Sequence, residues 1–279
     1  MIARGQRAPT IVLVHALGMS PAQTREVGQA LHARGYNVIA PLLDGHGVTR
    51  VWFDRFLNQP AETTSLWDNT LAESVAMARQ FDGPVFLMGF SIGGTHSLDW
   101  LSRNPNAVDG LILQSPTLGL GRVFERISKD YPKKKAEWTA KHFNELESGA
   151  LKPTDNPFFR AFTQISEPYA NRAELDNHGY IDTLTSSFGF SKALQLNARK
   201  SVSEHNFGVP TFVVYSMHDK VLNPEPIVEL AAARKNVTTK VYQKSERISH
   251  DDTLWGPQSV RMAGDAIEWI ESRMTQIAQ

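Results

Sequence analysis

Six short stretches of the chain are apolar and rich in β-branched residues: Thr10–Val14, Tyr36–Ala40, Pro84–Met88, Val108–Leu113, Thr211–Tyr215 and Val237–Tyr242. Runs of this length predict strands covered on both faces of a parallel sheet. Between them, helix starts and helical spacing take over. Ser20-Pro21-Ala22-Gln23 reads as a capping box with proline at the first helical position, and Gly35 supplies a stop. Ser65-Leu66-Trp67-Asp68 reads as a second box, opening a helix to about Gln80. The last helix repeats Val260, Ala263, Ile267, Ile270, Met274 and Ile277 on one face. Strands alternating with helices of this length predict βαβ crossovers, and so an α/β fold with a mainly parallel sheet of about six strands flanked by helices.

The alternation stops between about Thr117 and His205. The chain there reads as helical, punctuated by Pro153, Pro157 and Pro168, and dense in aromatics, among them Phe158, Phe159 and Phe162. A stretch this long inside one domain has structure of its own. The expected organisation is therefore a core formed by residues 1–116 and 206–279, with residues 117–205 inserted as a helical cap.

Gly89-Phe90-Ser91-Ile92-Gly93 follows one predicted strand and leads into a helical stretch. In that context G-x-S-x-G places a serine on a sharp strand-to-helix turn, where small neighbours avoid clashes and the hydroxyl is presented. A serine hydroxyl is a poor nucleophile at neutral pH, so it needs a base, and the base needs an orienting acid. The expected chain order is serine, acid, histidine. Asp219 follows the strand ending at Tyr215, and His250 follows the last strand, so both fall at strand carboxyl ends, the same edge as Ser91. Asp251 and Asp252 adjoin His250, but a carboxylate so close in sequence does not easily turn back to the Nδ1 side of its ring. The developing oxyanion needs two backbone N–H donors. Ile92 supplies one, and Leu17, in the loop His15-Ala16-Leu17-Gly18, is the expected second, with Ala16 the fallback. His15 is read as a histidine that holds this loop, and His46 as fixing a turn. Phe90, beside the nucleophile, and the cap residues Phe158, Phe159 and Phe162 are the expected substrate-binding side chains.

Composition narrows the chemistry. Lys+Arg and Asp+Glu balance at 29 each, so no overall field favours nucleic acid or an anionic membrane. With no cysteine, thiolate nucleophiles, disulfides and Cys-ligated metals are excluded. The nine histidines form no H-E-x-x-H or tight ligand cluster, so no metal is expected. There is no P-loop or dinucleotide G-x-G-x-x-G, and no cofactor is expected. No apolar run approaches the ~18–20 residues of a membrane span. Met1 to Pro9 lacks the apolar segment of a signal peptide, so a cytoplasmic protein is expected.

The loops His15-Ala16-Leu17-Gly18 and Asp44-Gly45-His46-Gly47, the turn Gly89-Phe90-Ser91-Ile92-Gly93-Gly94, and Asp219 and His250 together resemble the α/β-hydrolase superfamily. The carboxylesterase and monoacylglycerol-lipase branch is the nearest match. The likeness covers roughly residues 8–116 and 206–279 and leaves the cap unmatched. It implies a two-step acyl transfer through an acyl-serine intermediate, with Ser91, Asp219 and His250 as triad and Leu17 and Ile92 as oxyanion donors. His15-Ala16 replaces the usual His-Gly. The antiparallel hairpin that usually opens the fold is not apparent, leaving the strand order 2-1-3-4-5-6. The expected substrate is a small hydrophobic carboxylic ester. A thioesterase, an amidase or a carbon–carbon hydrolase would use the same triad, and a non-catalytic ligand-binding protein could keep the same fold.

Overall fold

The computed structural model describes residues 5, 7–17, 19–44, 46, 60–151, 194–200, 203, 208–253 and 255–277. Strands β1 (Thr10–Val14), β2 (Asn37–Ile39), β3 (Val85–Phe90), β4 (Gly110–Gln114), β5 (Thr211–Ser216) and β6 (Val237–Tyr242) form one sheet in the order β2-β1-β3-β4-β5-β6. All five pairings are parallel. This is the order expected from the sequence.

Burial follows the period of two that a pleated strand imposes. Ile11 and Leu13, Phe86 and Met88, Ile112, and Phe212 and Val214 point into one apolar cluster. Val12 and Val14, Val85 and Leu87, Leu111 and Leu113, and Val213 and Tyr215 point into the other. Helices α1 (Arg25–Ala33) and α7 (Gly256–Ile277) cover the first cluster with Val27, Leu31, Met262, Ala266 and Ile270. Helices α2 (Pro60–Arg79), α3 (Ser91–Arg103) and α6 (Glu225–Ala233) cover the second with Trp67, Leu71, Leu98, Leu101 and Ile227. Each of the Val, Leu, Ile and Met side chains among them contributes about 1.5–3 kcal/mol on burial, which fixes the sheet between two helical layers.

Three sequence expectations shift. β6 is not covered on both faces: Thr238, Thr239 and Lys240 are exposed along what is an edge strand among the described residues, where a charge discourages pairing with another chain. One bond of the first capping box forms, from the Ser20 amide to Gln23 Oε1, but Ser20 Oγ accepts from the Ala22 amide while the Gln23 amide donates to Ser20 O, and these bonds close turns ahead of a helix that starts at Arg25. The second box lies inside α2 rather than at a helix start. In the stretch between β4 and β5, α4 (Arg122–Lys141), α5 (Phe143–Glu147) and residues 194–200 are helical. Leu194 and Ala198 join the same core cluster as Leu222 and Ile227.

A line of buried rings crosses the second layer. His15 and His46 have centroids 4.8 Å apart, His46 and Trp67 5.5 Å, and Trp67 and His96 5.2 Å. Burial pushes His15 down to about 3, with nearby His46 adding to the effect, and pushes His46 and His96 down to about 4. All three are therefore neutral in the folded protein at pH 7. The hydrogen bonds of His15 agree: Nδ1–H donates to Ala16 O at 2.8 Å, and Nε2 accepts from the Leu43 amide at 3.1 Å.

Glycine sets how closely α3 approaches β1. A Cβ on Gly93 would stand 2.2 Å from His15 O and 2.9 Å from Val14 O. Gly93→Ala must therefore push the helix off the strand, with an expected loss of ~3 kcal/mol or more in urea unfolding. Gly264 in α7 has nothing within 4 Å of such a Cβ, so Gly264→Ala should instead gain about 0.5–1 kcal/mol.

The histidines make stability depend on pH. Unfolded, each titrates near 6.5; folded, near 3 or 4. Between these values only the unfolded chain takes up the proton, so their contribution is complete above pH ~6.5 and is lost as pH falls toward 4. The slope is up to about 1.4 kcal/mol per pH unit for each ring. The urea midpoint should fall steeply from pH 7 to pH 5, and less steeply in His96→Phe. Equal midpoints at the two pH values would contradict the neutral buried stack.

Candidate active site

In the order β2-β1-β3, the chain leaves β1 to one side of the sheet and continues from β3 to the other. Such a reversal opens a crevice at the carboxyl ends of the two central strands. The loop after β1 and the turn after β3 meet there, since Val14 and Gly89 are register partners.

Ser91 occupies that turn with φ of +50°, a left-handed value uncommon for a residue with a side chain. Its neighbours make the conformation possible. A Cβ on Gly89 would lie 2.5 Å from Gly94 Cα, and one on Gly94 would lie 2.8 Å from Gly89 O. Only glycine at both positions lets the strand fold back on the first turn of α3. The serine Oγ lies 2.9 Å from His250 Nε2. His250 Nδ1 lies 2.6 Å from Asp219 Oδ2, in position to donate. Ser91, Asp219 and His250 are 8%, 7% and 6% exposed, so water does little to weaken these bonds.

Each partner is held from behind. Asp219 Oδ1 accepts from the Val221 amide at 2.9 Å and the Leu222 amide at 3.1 Å, which leaves Oδ2 for the imidazole. The carbonyl of His250 accepts from the Thr253 amide and hydroxyl at 3.0 and 2.6 Å. Gln114, at the end of β4, donates Nε2–H to Thr253 O and so anchors the histidine loop to the sheet. Asp252 does not reach the imidazole in this way. Its Oδ2 accepts from the amide and hydroxyl of Ser249, closing the turn that carries His250.

Leu17 lies in the loop after β1 and Ile92 in the first turn of α3, both buried at the crevice. Phe90 is 1% exposed and lies with Ile11, Leu13 and Met88 in the other cluster from Leu17 and Ile92. Phe158, Phe159 and Phe162 lie outside the described residues. His46 is buried in its turn, its amide donating to Leu43 O and its Nδ1 3.2 Å from Asp44 O. Among the described residues no group of three or more His, Cys, Asp or Glu is arranged to hold a metal ion, and no helix is long and apolar enough to cross a membrane.

One residue at the site was not legible as part of it. Thr117 marks only the start of the inserted stretch in the sequence, yet its Oγ1 is 2.9 Å from Ser91 Oγ. It lies just past the carboxyl end of β4, the position in a parallel strand that singled out Asp219, and that rule would have found it.

Comparison with known proteins points the same way. Over 114 residues the chain is 32% identical to phospholipase YtpA of Bacillus subtilis, a stretch that covers 39% of this chain and 41% of that protein. The monoacylglycerol lipase of Paleococcus ferrophilus superposes with a TM-score of 0.60 at 14% identity, covering 96% of this chain and 97% of that one. The meta-cleavage product hydrolase CumD gives 0.60 at 17%, covering 97% and 93%. At such identities the superpositions speak for the fold alone. The family described as serine aminopeptidase, S33, matches residues 5–251, taking in all six strands, the serine turn and the histidine loop. With that match over most of its length, the chain belongs to the S33 family of α/β hydrolases.

Proposed function

We propose that this protein is a serine hydrolase that cleaves carboxylic esters with a hydrophobic acyl group through an acyl-serine intermediate. The observation that carries the reading is the unbroken chain from Ser91 Oγ to His250 Nε2, 2.9 Å, and from His250 Nδ1 to Asp219 Oδ2, 2.6 Å. Asp219 keeps the imidazole proton on Nδ1, so Nε2 is free to take the serine proton. As it does, the Oγ–carbonyl carbon bond forms and the carbonyl π pair moves to oxygen. The amides of Leu17 and Ile92 are the donors for that oxyanion. Collapse expels the alcohol oxygen, which receives the proton from His250. Water then repeats the sequence against the acyl-serine and releases the acid. No metal or cofactor enters these steps.

The relative named a phospholipase supports lipid esters as the substrate class. The hydrophobic acyl chain is assigned to the cap, with Phe158, Phe159 and Phe162 as its side chains. Amide cleavage, which the family's name favours, runs through the same steps with an amine as leaving group. Parallel assays on p-nitrophenyl esters and aminoacyl p-nitroanilides separate the two, and faster turnover of the anilides would replace the ester reading.

Ser91→Ala should abolish turnover and labelling by a fluorophosphonate while the protein stays folded, with kcat down on the order of 10⁴–10⁶. Asp219→Asn and His250→Ala should be nearly as damaging, and the double variant scarcely worse than either, because groups acting as a unit are not additive. Activity above a tenth of wild type in Ser91→Ala would exclude the acyl-serine route.

Acyl-chain length checks the substrate class. At ~0.8 kcal/mol per buried CH₂, kcat/KM should rise roughly three- to fourfold with each methylene until the pocket is full. A flat response from acetate to octanoate esters would remove the hydrophobic acyl site from the proposal.

A further inference from the structure

We propose that Thr117 is a catalytic hydrogen-bond donor to the nucleophile oxygen, an inference that rests on the acyl-serine reading above. Ser91 Oγ has two close partners, His250 Nε2 at 2.9 Å and Thr117 Oγ1 at 2.9 Å. The serine hydroxyl has one proton. With the imidazole proton held on Nδ1 by Asp219, Nε2 is an acceptor, and the serine proton is directed to it. The proton between the two hydroxyl oxygens must then come from Thr117, and Ser91 Oγ accepts it.

The position of Thr117 is held from several sides. Its amide donates to Ser91 O at 3.3 Å, so it contacts the serine at backbone and side chain alike. Just before it, Ser115 turns with φ of +48°, which sends the chain from the end of β4 toward the first turn of α3. Just after it, Gly121 N donates to Val221 O and Asn223 N to Gly119 O, each at 2.8 Å. This strap joins the nucleophile to the loop whose amides hold Asp219. Thr117 is 4% exposed, so solvent does not readily replace its hydroxyl.

The bond gains strength when charge builds on Oγ. During attack the serine proton passes to His250 Nε2 while the Oγ–carbon bond forms, and Oγ carries negative character between the two events. Once it is an ester oxygen it accepts weakly. In the second half the attacking water gives its proton to His250, the Oγ–carbon bond breaks, and Oγ again gains charge before the proton returns to it. A donor at this oxygen therefore assists both halves. Hydrogen bonds to a charged acceptor are roughly twice as strong as neutral ones, so its removal should slow each half by about tenfold.

The test compares Thr117→Val, which keeps the shape without the hydroxyl, with Thr117→Ser, which keeps the hydroxyl. Thr117→Ala is a second hydroxyl-free variant should the valine form fail to fold by circular dichroism. Turnover of p-nitrophenyl butyrate and the rate of fluorophosphonate labelling are measured on the full chain, beside wild type and Ser91→Ala. The expected result is a roughly tenfold fall in kcat and labelling rate for Thr117→Val or Thr117→Ala, KM within about twofold, and Thr117→Ser close to wild type. Wild-type labelling in a hydroxyl-free variant overturns the proposal. So does an equal loss in Thr117→Ser, or a rise in KM alone, either of which marks a purely structural residue. Wild-type protein that is neither labelled nor dependent on Ser91 for turnover overturns the acyl-serine reading and this one together.

Discussion

The turn from β3 into α3 is the constraint on which the rest of the site depends. A serine at φ of +50° is strained, at a cost of ~1–3 kcal/mol, and the surroundings must hold it there. They do so by close backbone packing: the Gly89 and Gly94 backbones meet each other, and Gly93 sits against the carbonyls of Val14 and His15. The same packing sets the first turn of α3 against the loop after β1. Ser91 and the first turn of α3 are thus set by one piece of packing.

The other groups reach this turn by separate routes, each anchored to the sheet. β4 ends in Gln114, which holds the histidine loop, and continues through Ser115 to Thr117, which bonds to Ser91. β5 ends in the turn where Asp219 turns one carboxylate oxygen to its own loop and the other to His250. The strap 119–121 joins the two by pairing with 221–223. A hydrogen-bonded triad of low exposure needs this redundancy, because a buried polar group that loses its partner costs about 1–3 kcal/mol.

What the sequence made legible follows the range of the physics involved. Strand runs and helix stripes are local patterns with a fixed period, and they led directly to the six strands, while the strand order was what the resemblance to the α/β hydrolases implied. Ser91 was legible because its turn demands glycine on both sides, and Asp219 and His250 because parallel strands present groups at their carboxyl ends. Helix starts were less so: the box at Ser20 forms one of its two bonds and starts no helix, and Thr24 Oγ1 bonds back to Pro21 O and offers no side-chain cap to α1. Phe90 stands beside Ser91 in sequence but joins the cluster on the other side of the sheet from Leu17 and Ile92. Thr117 has no motif; its role comes from a contact between residues 26 apart that only the folded turn at Ser115 creates.

The buried histidines tie the stability of the core to the geometry of the site. His15 can hold the loop after β1 only as a neutral ring, because Nε2 must accept from Leu43 while Nδ1 donates to Ala16. A protonated ring has two donors and no acceptor, so it would oppose the Leu43 amide. Burial that pushes the ring down to about 3 prevents this over the neutral and mildly acidic range. His46 and Trp67 pack in line behind it, and Trp67 Nε1–H donates to Asp44 O, so the loop after β2 supports the loop after β1. The desolvation that makes these histidines costly to protonate is therefore the same property that keeps the amide of Leu17 in place. Relieving the burial to gain tolerance of acid would loosen the side of the crevice that faces Ser91.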